Sequence, residues 1–164
     1  MQLEDARILV GIGELKVLKD TRGFIITHAL GSCIGITIYD ATAKVGGMLH
    51  AQLPAAATNP ARAQNEPAVF VDLGVPLLFK TAMSLGAEKR RLRVAVAGGA
   101  AVGACATDLF QIGARNLTVM RKLFWMNGVL IKGEDSGGTK PRTMALDLTT
   151  GETWIESEGK RYGI

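Results

Sequence analysis

Short segments that alternate between apolar and polar positions, rich in β-branched residues, dominate the first half of the chain. ARILVGIGELKVLK alternates in this way, and GFIITH and CIGITIYD continue the pattern after the turn sequence KDTRG. A period of two is typical of half-buried β-strands. The sequence therefore predicts that the first half folds as strands joined by hairpins, with ATAK turning the chain into VGGMLHAQLP.

Two helical patterns interrupt the strands. The first is predicted for residues 72 to about 85, where Asp72 caps the helix, Pro76 falls in its first turn and Gly86 ends it. The second covers residues 114–126, and Arg115 and Asn116 are interpreted as capping or bracing it. Further strands are predicted for the segments LRVAVA, VLIKGED, RTMALDL and ETWIES.

Helices inserted among mostly hairpin-linked strands indicate an α+β fold in which the helices cover a largely antiparallel sheet system. With 164 residues the chain can bury one substantial core, and a second independent core is not expected. We therefore predict a single domain over residues 1–164. The proline-interrupted segment 54–67 is the predicted mobile loop, and loops of this length often serve a function.

Composition narrows the class of protein. No apolar run approaches the ~20 residues of a membrane-spanning helix, and the start MQLEDAR lacks the basic and apolar parts of a secretory signal, so a cytoplasmic protein without membrane insertion is expected. The net charge of +4 includes one basic cluster, residues 88–93, interpreted as a solvated loop and strand edge. Only 5% of residues are aromatic and none lies within that cluster, which argues against nucleic-acid binding.

Cys33 and His50 lie in the two segments that ATAK separates. If these segments pair as an antiparallel hairpin with a two-residue turn at Ala41-Thr42, Cys33 lies directly opposite His50, with Cβ atoms about 4.5–5.5 Å apart. A slip by one residue places the two side chains on opposite faces. Gly46-Gly47 also invites a bulge, so the residues alone leave the register open.

A thiol beside an imidazole is the first requirement of a Cys–His nucleophile pair. The thiolate attacks a carbonyl carbon while the imidazole takes and returns a proton. Thr27 can orient His50, and the Gly31-Ser32 turn can aim backbone N–H groups at a developing oxyanion. The alternative is that Cys33 is a small buried hydrophobe and His50 a hydrogen-bonded packing residue.

A set of short motifs bears on whether Cys33 and His50 form a nucleophile pair or are packing residues. The motifs are Gly-Ile-Gly near the start, Thr27-x-x-Leu-Gly-Ser-Cys33, Gly47-Met-x-His50-x-x-Leu-Pro54, Gly98-Gly-Ala, Ile112-Gly-Ala-Arg-Asn116 and Asp135-Ser-Gly-Gly138. In order and spacing this set resembles the CheD family of chemoreceptor glutamine deamidases over about residues 8–151. The resemblance implies a three-layer α/β/β sandwich with two main helices, related to the deamidating cytotoxic necrotizing factor toxins.

Matched motif by motif, the resemblance implies a catalytic set of Cys33, His50 and Thr27. The implied reaction hydrolyses glutamine side-chain amides on the cytoplasmic helices of methyl-accepting chemotaxis receptors to glutamate and ammonia, through a thioester. The CheC phosphatase is an implied partner where the organism has one. This chain departs from the family in having Ala29 where a glycine is usual, with His28 beside it; as the neighbour of Thr27, His28 is expected to point to the opposite face.

Other classes of site find less support in the sequence. Two histidines and two cysteines occur without CxxC or HxxxH spacing, and GGAAVG (98–103) lacks the Lys-Ser/Thr of a phosphate loop, so no metal or cofactor is expected. Cys105 is interpreted as a packing thiol. Two rival functions stay open: a receptor- or CheC-binding adaptor with little turnover, and a general cysteine peptidase.

Overall fold

The computed structural model describes residues 5–101 and 110–164. Within these ranges the strands form two five-stranded sheets. The elements in chain order are β1 (Ala6–Leu9), β2 (Glu14–Lys19), β3 (Gly23–Leu30), β4 (Ile34–Asp40), β5 (Val45–Ala51), α1 (Pro60–Asn65), α2 (Val71–Ser84), β6 (Arg93–Gly98), α3 (Ile112–Met126), β7 (Ile131–Ser136), β8 (Arg142–Asp147), β9 (Thr153–Ser157) and β10 (Lys160–Gly163).

The two sheets and the helices are stacked in three layers. The central sheet has the order β2-β5-β4-β6-β7 and the outer sheet the order β1-β3-β8-β9-β10. Helices α2 and α3 pack on the central sheet. The pairs β1–β3 and β6–β7 are parallel and the other strand pairs are antiparallel. The predicted α+β class and the α/β/β sandwich with two main helices are therefore confirmed.

The alternation along β4 and β5 divides the interior into two cores. Ile34, Ile36 and Ile38 face the helices, together with Leu49 of β5. Residues at the intervening positions face the outer sheet, and Met48 of β5 packs there. Because both faces of the central sheet are covered, all positions of β4 and β5 are buried. Side chains on the second face are consequently held between two sheets.

The predicted hairpins of the first half are partly wrong. β4 and β5 do form a hairpin, but β1 pairs in parallel with β3 while β2 pairs with β5 in the other sheet. β1 and β2 separate at a turn where Gly13 has φ +73°. Both are edge strands whose alternating exposure fits either sheet, so their sequence pattern could not identify their partners.

The turn of the β4–β5 hairpin has four residues, because Asp40 pairs with Val45. The Asp40 carboxylate accepts hydrogen bonds from the N–H groups of Thr42 and Ala43, which stabilises this longer turn. Burial alone would raise the pKa of Asp40, but bonds from Arg91 and from backbone N–H groups outweigh burial and lower it to about 2. The two-residue turn used to set the register is therefore wrong.

The helix predictions need smaller corrections. α2 begins at Val71 with Phe70 as its N-cap, and the Asp72 carboxylate instead accepts the N–H of Ala56. Pro76 lies inside the helix, beyond the predicted first turn. The segment predicted as a mobile loop contains α1, whose N-cap side chain is Asn59. None of the described helices is long and apolar enough to cross a membrane.

Candidate active site

Cys33 lies in the turn between β3 and β4, one residue before β4 begins. Its side chain faces the inter-sheet core, and the residue is 8% exposed. Burial raises the pKa of the Cys33 thiol, and the backbone N–H of Cys33 itself acts in the opposite direction. At neutral pH this cysteine is therefore a thiol that needs a base to become a nucleophile.

His50 and Thr27 meet across the two sheets. Thr27 belongs to the outer sheet and His50 to the central sheet, and both are fully buried. The Thr27 Oγ1 atom lies 2.7 Å from His50 Nδ1 and also 2.7 Å from the carbonyl oxygen of Val10. A carbonyl oxygen only accepts, so the hydroxyl proton goes to Val10, and Nδ1 must carry the proton that Thr27 accepts.

This arrangement fixes the tautomer of His50. With the proton on Nδ1, the Nε2 atom keeps its lone pair. Nε2 is buried and has no hydrogen-bond partner among the described residues. Burial lowers the pKa of His50 to about 4, so the ring is neutral at physiological pH. The site thus holds an unprotonated, oriented base.

The corrected register still places Cys33 and His50 on one face. Gly35, rather than Cys33, is paired with His50, and Ile34 is paired with Ala51. Cys33 is two residues from Gly35, so it is a diagonal neighbour of His50 rather than a direct one. Diagonal neighbours in an antiparallel pair have Cα atoms about 7–8 Å apart, and no hydrogen bond joins the Cys33 sulfur to His50 Nε2 in the described structure. The error of two residues preserved the face, as an error of one would not have.

The turn that carries Cys33 is held by the segment after β6. The Cys33 carbonyl accepts the N–H of Gly99 at 2.9 Å, and the Gly31 carbonyl accepts the N–H of Ala100 at the same distance. Gly98 has φ +100°, and a Cβ atom there would lie 2.1 Å from the Cys33 carbonyl oxygen. This close approach explains why the Gly98-Gly-Ala motif requires glycine at its first position.

A second loop supports this segment from the far side. Gly137 donates to the Gly98 carbonyl and Gly138 accepts from Ala101. Arg142 is buried and bonds the Asp135 carboxylate at 3.1 Å. Burial would raise the pKa of Asp135, but hydrogen bonds from Tyr162 and Arg142 lower it. The Asp-Ser-Gly-Gly motif therefore braces the cysteine turn rather than reaching the thiol itself.

Of the backbone N–H groups near the turn that was predicted to bind an oxyanion, one already donates to a carbonyl. The N–H of Gly31 donates to the Ala29 carbonyl at 3.0 Å, so it is already engaged. In the hydrogen bonds of residues 5–101 and 110–164, neither Ser32 nor Cys33 donates its N–H to a carbonyl. Among the described residues, these two N–H groups therefore have no backbone acceptor, whereas that of Gly31 has one.

The remaining predictions near the site have mixed outcomes. As expected, His28 is exposed on the opposite face from Thr27, where its Nδ1 atom lies 3.2 Å from the Thr143 hydroxyl. Cys105 and the end of the GGAAVG segment lie outside the described residues. No residue type signals the role of the Val10 carbonyl, so the sequence could not predict it. The contact that Asn116 makes with the cysteine turn was not predicted either, although the motif that contains Asn116 could have indicated it.

The fold and the site define a class: α/β/β sandwich proteins with a cysteine, a histidine and a threonine on the faces of two stacked sheets. Within this class, a family described as CheD chemotactic sensory transduction matches residues 52–157. The chain belongs to the CheD family.

Named relatives extend the match beyond that range. One from Syntrophus aciditrophicus (strain SB), named probable chemoreceptor glutamine deamidase CheD 1, is 43% identical over 152 residues, covering 93% of this chain and 94% of the relative. One from Pyrococcus abyssi (strain GE5 / Orsay), named probable chemoreceptor glutamine deamidase CheD, is 44% identical and covers 88% of both chains. A solved structure, Bacillus licheniformis hypothetical protein YfiH, aligns with 71% of this chain and 46% of its own, at 16% identity and a TM-score of 0.38.

Proposed function

We propose that this protein hydrolyses the side-chain amides of specific glutamines on chemoreceptors, with Cys33 as nucleophile, His50 as proton carrier and Thr27 as the group that orients His50. The observation that carries the proposal is the Val10–Thr27–His50 chain of hydrogen bonds, which leaves Nε2 as a free base on the face shared with Cys33. The names of the relatives supply the substrate class.

In the first half of the reaction, His50 Nε2 takes the thiol proton as Cys33 Sγ bonds to the glutamine Cδ. The carbonyl oxygen becomes an oxyanion, and the N–H groups of Ser32 and Cys33 stabilise it. Collapse of the tetrahedral intermediate breaks the C–N bond, and the proton on Nε2 goes to the leaving nitrogen. Ammonia departs and a thioester remains.

In the second half, Nε2 takes a proton from water as the water oxygen attacks the thioester carbon. Collapse breaks the C–S bond and the proton returns to sulfur, so the products are glutamate, ammonia and the original thiol. His50 is suited to both halves because its lowered pKa leaves Nε2 unprotonated before each attack. Thr27 keeps the same nitrogen facing the site throughout.

The proposed reaction implies a cellular location and binding partners. The target helices of chemoreceptors are cytoplasmic, so we place the protein in the cytoplasm, acting as a single domain on the receptor, with CheC as a further partner where one exists. Nothing in the reaction requires a cofactor, since both proton transfers are carried by His50.

The test uses a chemoreceptor cytoplasmic fragment incubated with wild-type protein and with Cys33→Ala, followed by intact mass and ammonia release. We expect a gain of about 1 Da per converted glutamine, with equimolar ammonia, from the wild type alone. Cys105→Ala serves as the control thiol variant and should retain turnover. Binding without a mass change would favour an adaptor, and cleavage of the fragment backbone would favour a peptidase; either result contradicts the proposal.

A further inference from the structure

Asn116, in the first half of α3, reaches from the helix layer to the cysteine turn. The residue is fully buried, and its Nδ2 atom donates to the Ser32 carbonyl at 2.9 Å and to the Gln52 carbonyl at 3.0 Å. Ser32 immediately precedes Cys33, and Gln52 follows His50 by two residues. A single side-chain amide therefore ties together the two chain segments that carry the thiol and the base.

The bond to Ser32 has a consequence for the next N–H group. The Ser32–Cys33 peptide is planar and trans, so the carbonyl of Ser32 and the N–H of Cys33 point in opposite directions. Because Asn116 holds the carbonyl towards α3, the N–H of Cys33 is turned away from α3. Burial raises the pKa of the Cys33 thiol, and this N–H, acting as a hydrogen-bond donor to the sulfur, opposes that rise. The peptide thus presents a donor where an oxyanion would form beside Sγ.

The start of α3 packs closely against the segment that follows β6. Gly113, one turn earlier in α3, approaches the backbone of Gly99 and Ala100 so closely that a Cβ atom would lie 2.5 Å from the Ala100 carbonyl oxygen. Gly99 in turn donates to the Cys33 carbonyl. Two independent contacts therefore fix the position of α3 relative to the cysteine turn. One is made by the backbone and the other by the Asn116 side chain.

In the described part of the chain, one polar atom of this amide is left unpaired. The Oδ1 atom of Asn116 is buried without a donor among the described residues. An unpaired buried acceptor is unfavourable for folding. Asn116 thus combines two buried N–H bonds with one unpaired acceptor. Unfavourable features of this kind are typical of sites where function constrains the residue.

We propose that Asn116 is a positioning residue that holds the Ser32–Cys33 peptide so that the Cys33 N–H faces the oxyanion formed when Sγ attacks a carbonyl carbon. This role rests on the proposed function in requiring Cys33 as the nucleophile, but it does not depend on which amide is the substrate.

Two small reagents separate this role from a general effect on the thiol. Acylation by p-nitrophenyl acetate forms an S–acetyl bond and expels p-nitrophenolate through a tetrahedral oxyanion. Alkylation by iodoacetamide forms an S–C bond and expels iodide with no oxyanion. Asn116→Ala should slow acylation of Cys33 about 10–100-fold while alkylation stays within about twofold. Both rates are followed by mass on the Cys33 peptide, so that Cys105 does not contribute.

Met120→Ala is the matched control, because Met120 is fully buried one turn further along α3 and has no N–H or O–H group to donate to either carbonyl. It should lower the melting temperature but leave the ratio of the two rates unchanged. Asn116→Leu, which keeps the branched shape of the side chain but has no N–H group, should give the same change in the ratio, and it replaces the alanine variant if that variant does not fold.

Equal loss of both rates, or loss of neither, in Asn116→Ala would overturn the positioning role. A wild-type protein whose Cys33 is not acylated at all would overturn this role and the nucleophile together. Acylation that depends on Asn116, combined with an unchanged receptor fragment, would leave the role standing and overturn only the proposed substrate.

Discussion

At the scale of single residues, the chemistry of the site depends on where one proton lies. The Thr27 hydroxyl has a single proton, the Val10 carbonyl takes it, and the proton on His50 is thereby confined to Nδ1. Without this restraint, a buried neutral imidazole would exchange between two tautomers, only one of which has its lone pair on Nε2. In the proposed reaction, Thr27 therefore acts through His50.

Replacing Thr27 with valine removes the hydroxyl at nearly constant volume. We expect turnover to fall roughly 10–100-fold with little change in KM, because His50 loses its orientation. The free energy of unfolding should fall by about 1–3 kcal/mol, since the Val10 carbonyl and Nδ1 lose a partner.

Thr37→Val is the matched control for that substitution. Thr37 is also buried between the sheets, but its hydroxyl bonds that of Thr153 at 2.8 Å instead of the imidazole of His50. Stability should fall here too, while turnover is retained. Equal turnover in the two valine variants would contradict the orienting role of Thr27.

The protonation of His50 also predicts how stability varies with pH. Its ordinary pKa of 6.5 is lowered to about 4 by burial, so the unfolded chain binds the proton first as the pH falls. The contribution is complete above pH 6.5 and is lost as the pH approaches 4, by about 3 kcal/mol. Urea unfolding at pH 7 and pH 4 should show this extra loss in wild type relative to His50→Gln. Equal losses in both proteins would contradict it.

At the scale of secondary-structure elements, a bulge in β3 shapes the approach to the cysteine turn. Thr27 pairs with Met144 and Leu30 with Arg142, so two residues of β3 face one residue of β8. Ala29, within this bulge, has φ +58°. A left-handed conformation costs a non-glycine residue roughly 1–2 kcal/mol. The bulge turns the chain between Thr27 and Cys33, and explains why glycine suits this position.

Ala29→Gly should therefore be stabilising. The relief of strain exceeds the added flexibility of the unfolded chain by about 0.5–1 kcal/mol, which raises the melting temperature by roughly 1–4 °C. Lys44→Gly is the control, because Lys44 has φ +54° in the exposed β4–β5 turn. Both should gain stability with turnover at least equal to wild type. A lower melting temperature for Ala29→Gly would show that the bulge is not strained.

At the scale of the whole molecule, the site exists only where the two sheets meet. Thr27 comes from the outer sheet, while His50 and Cys33 come from the hairpin of the central sheet and the turn before it. The spacing of the sheets is set by the inter-sheet core, in which Met144 is fully buried and paired with Thr27. The other core, between the helices and the central sheet, includes Leu78.

Truncating one residue of each core distinguishes the effect of sheet spacing on turnover from the effect of overall stability. Met144→Ala and Leu78→Ala should each lose about 2–5 kcal/mol of unfolding free energy, because both side chains are fully buried. Measured well below both melting temperatures, turnover should fall about 3–10-fold in Met144→Ala and stay within about twofold in Leu78→Ala. Equal turnover in the two variants would contradict the dependence on sheet spacing.

Local patterns were sufficient for the class of fold and for the shared face of Cys33 and His50. Period-two alternation and two helical segments predicted the α+β class, the family resemblance implied the sandwich, and the parity of the hairpin predicted one face for Cys33 and His50. These properties depend on near neighbours in the chain. The same is true of the glycines that end helices and form turns, because a positive φ is a local requirement.

Tertiary structure decided the rest. β1 and β2 carry similar alternating patterns yet pair in different sheets, because pairing depends on which strand edge is free when the layers stack. The Val10 carbonyl and the Asn116 amide meet the site from distant parts of the sequence. A hydrogen bond between residues 17 or 84 positions apart leaves no periodic trace in the sequence, since only the packed layers bring those atoms together.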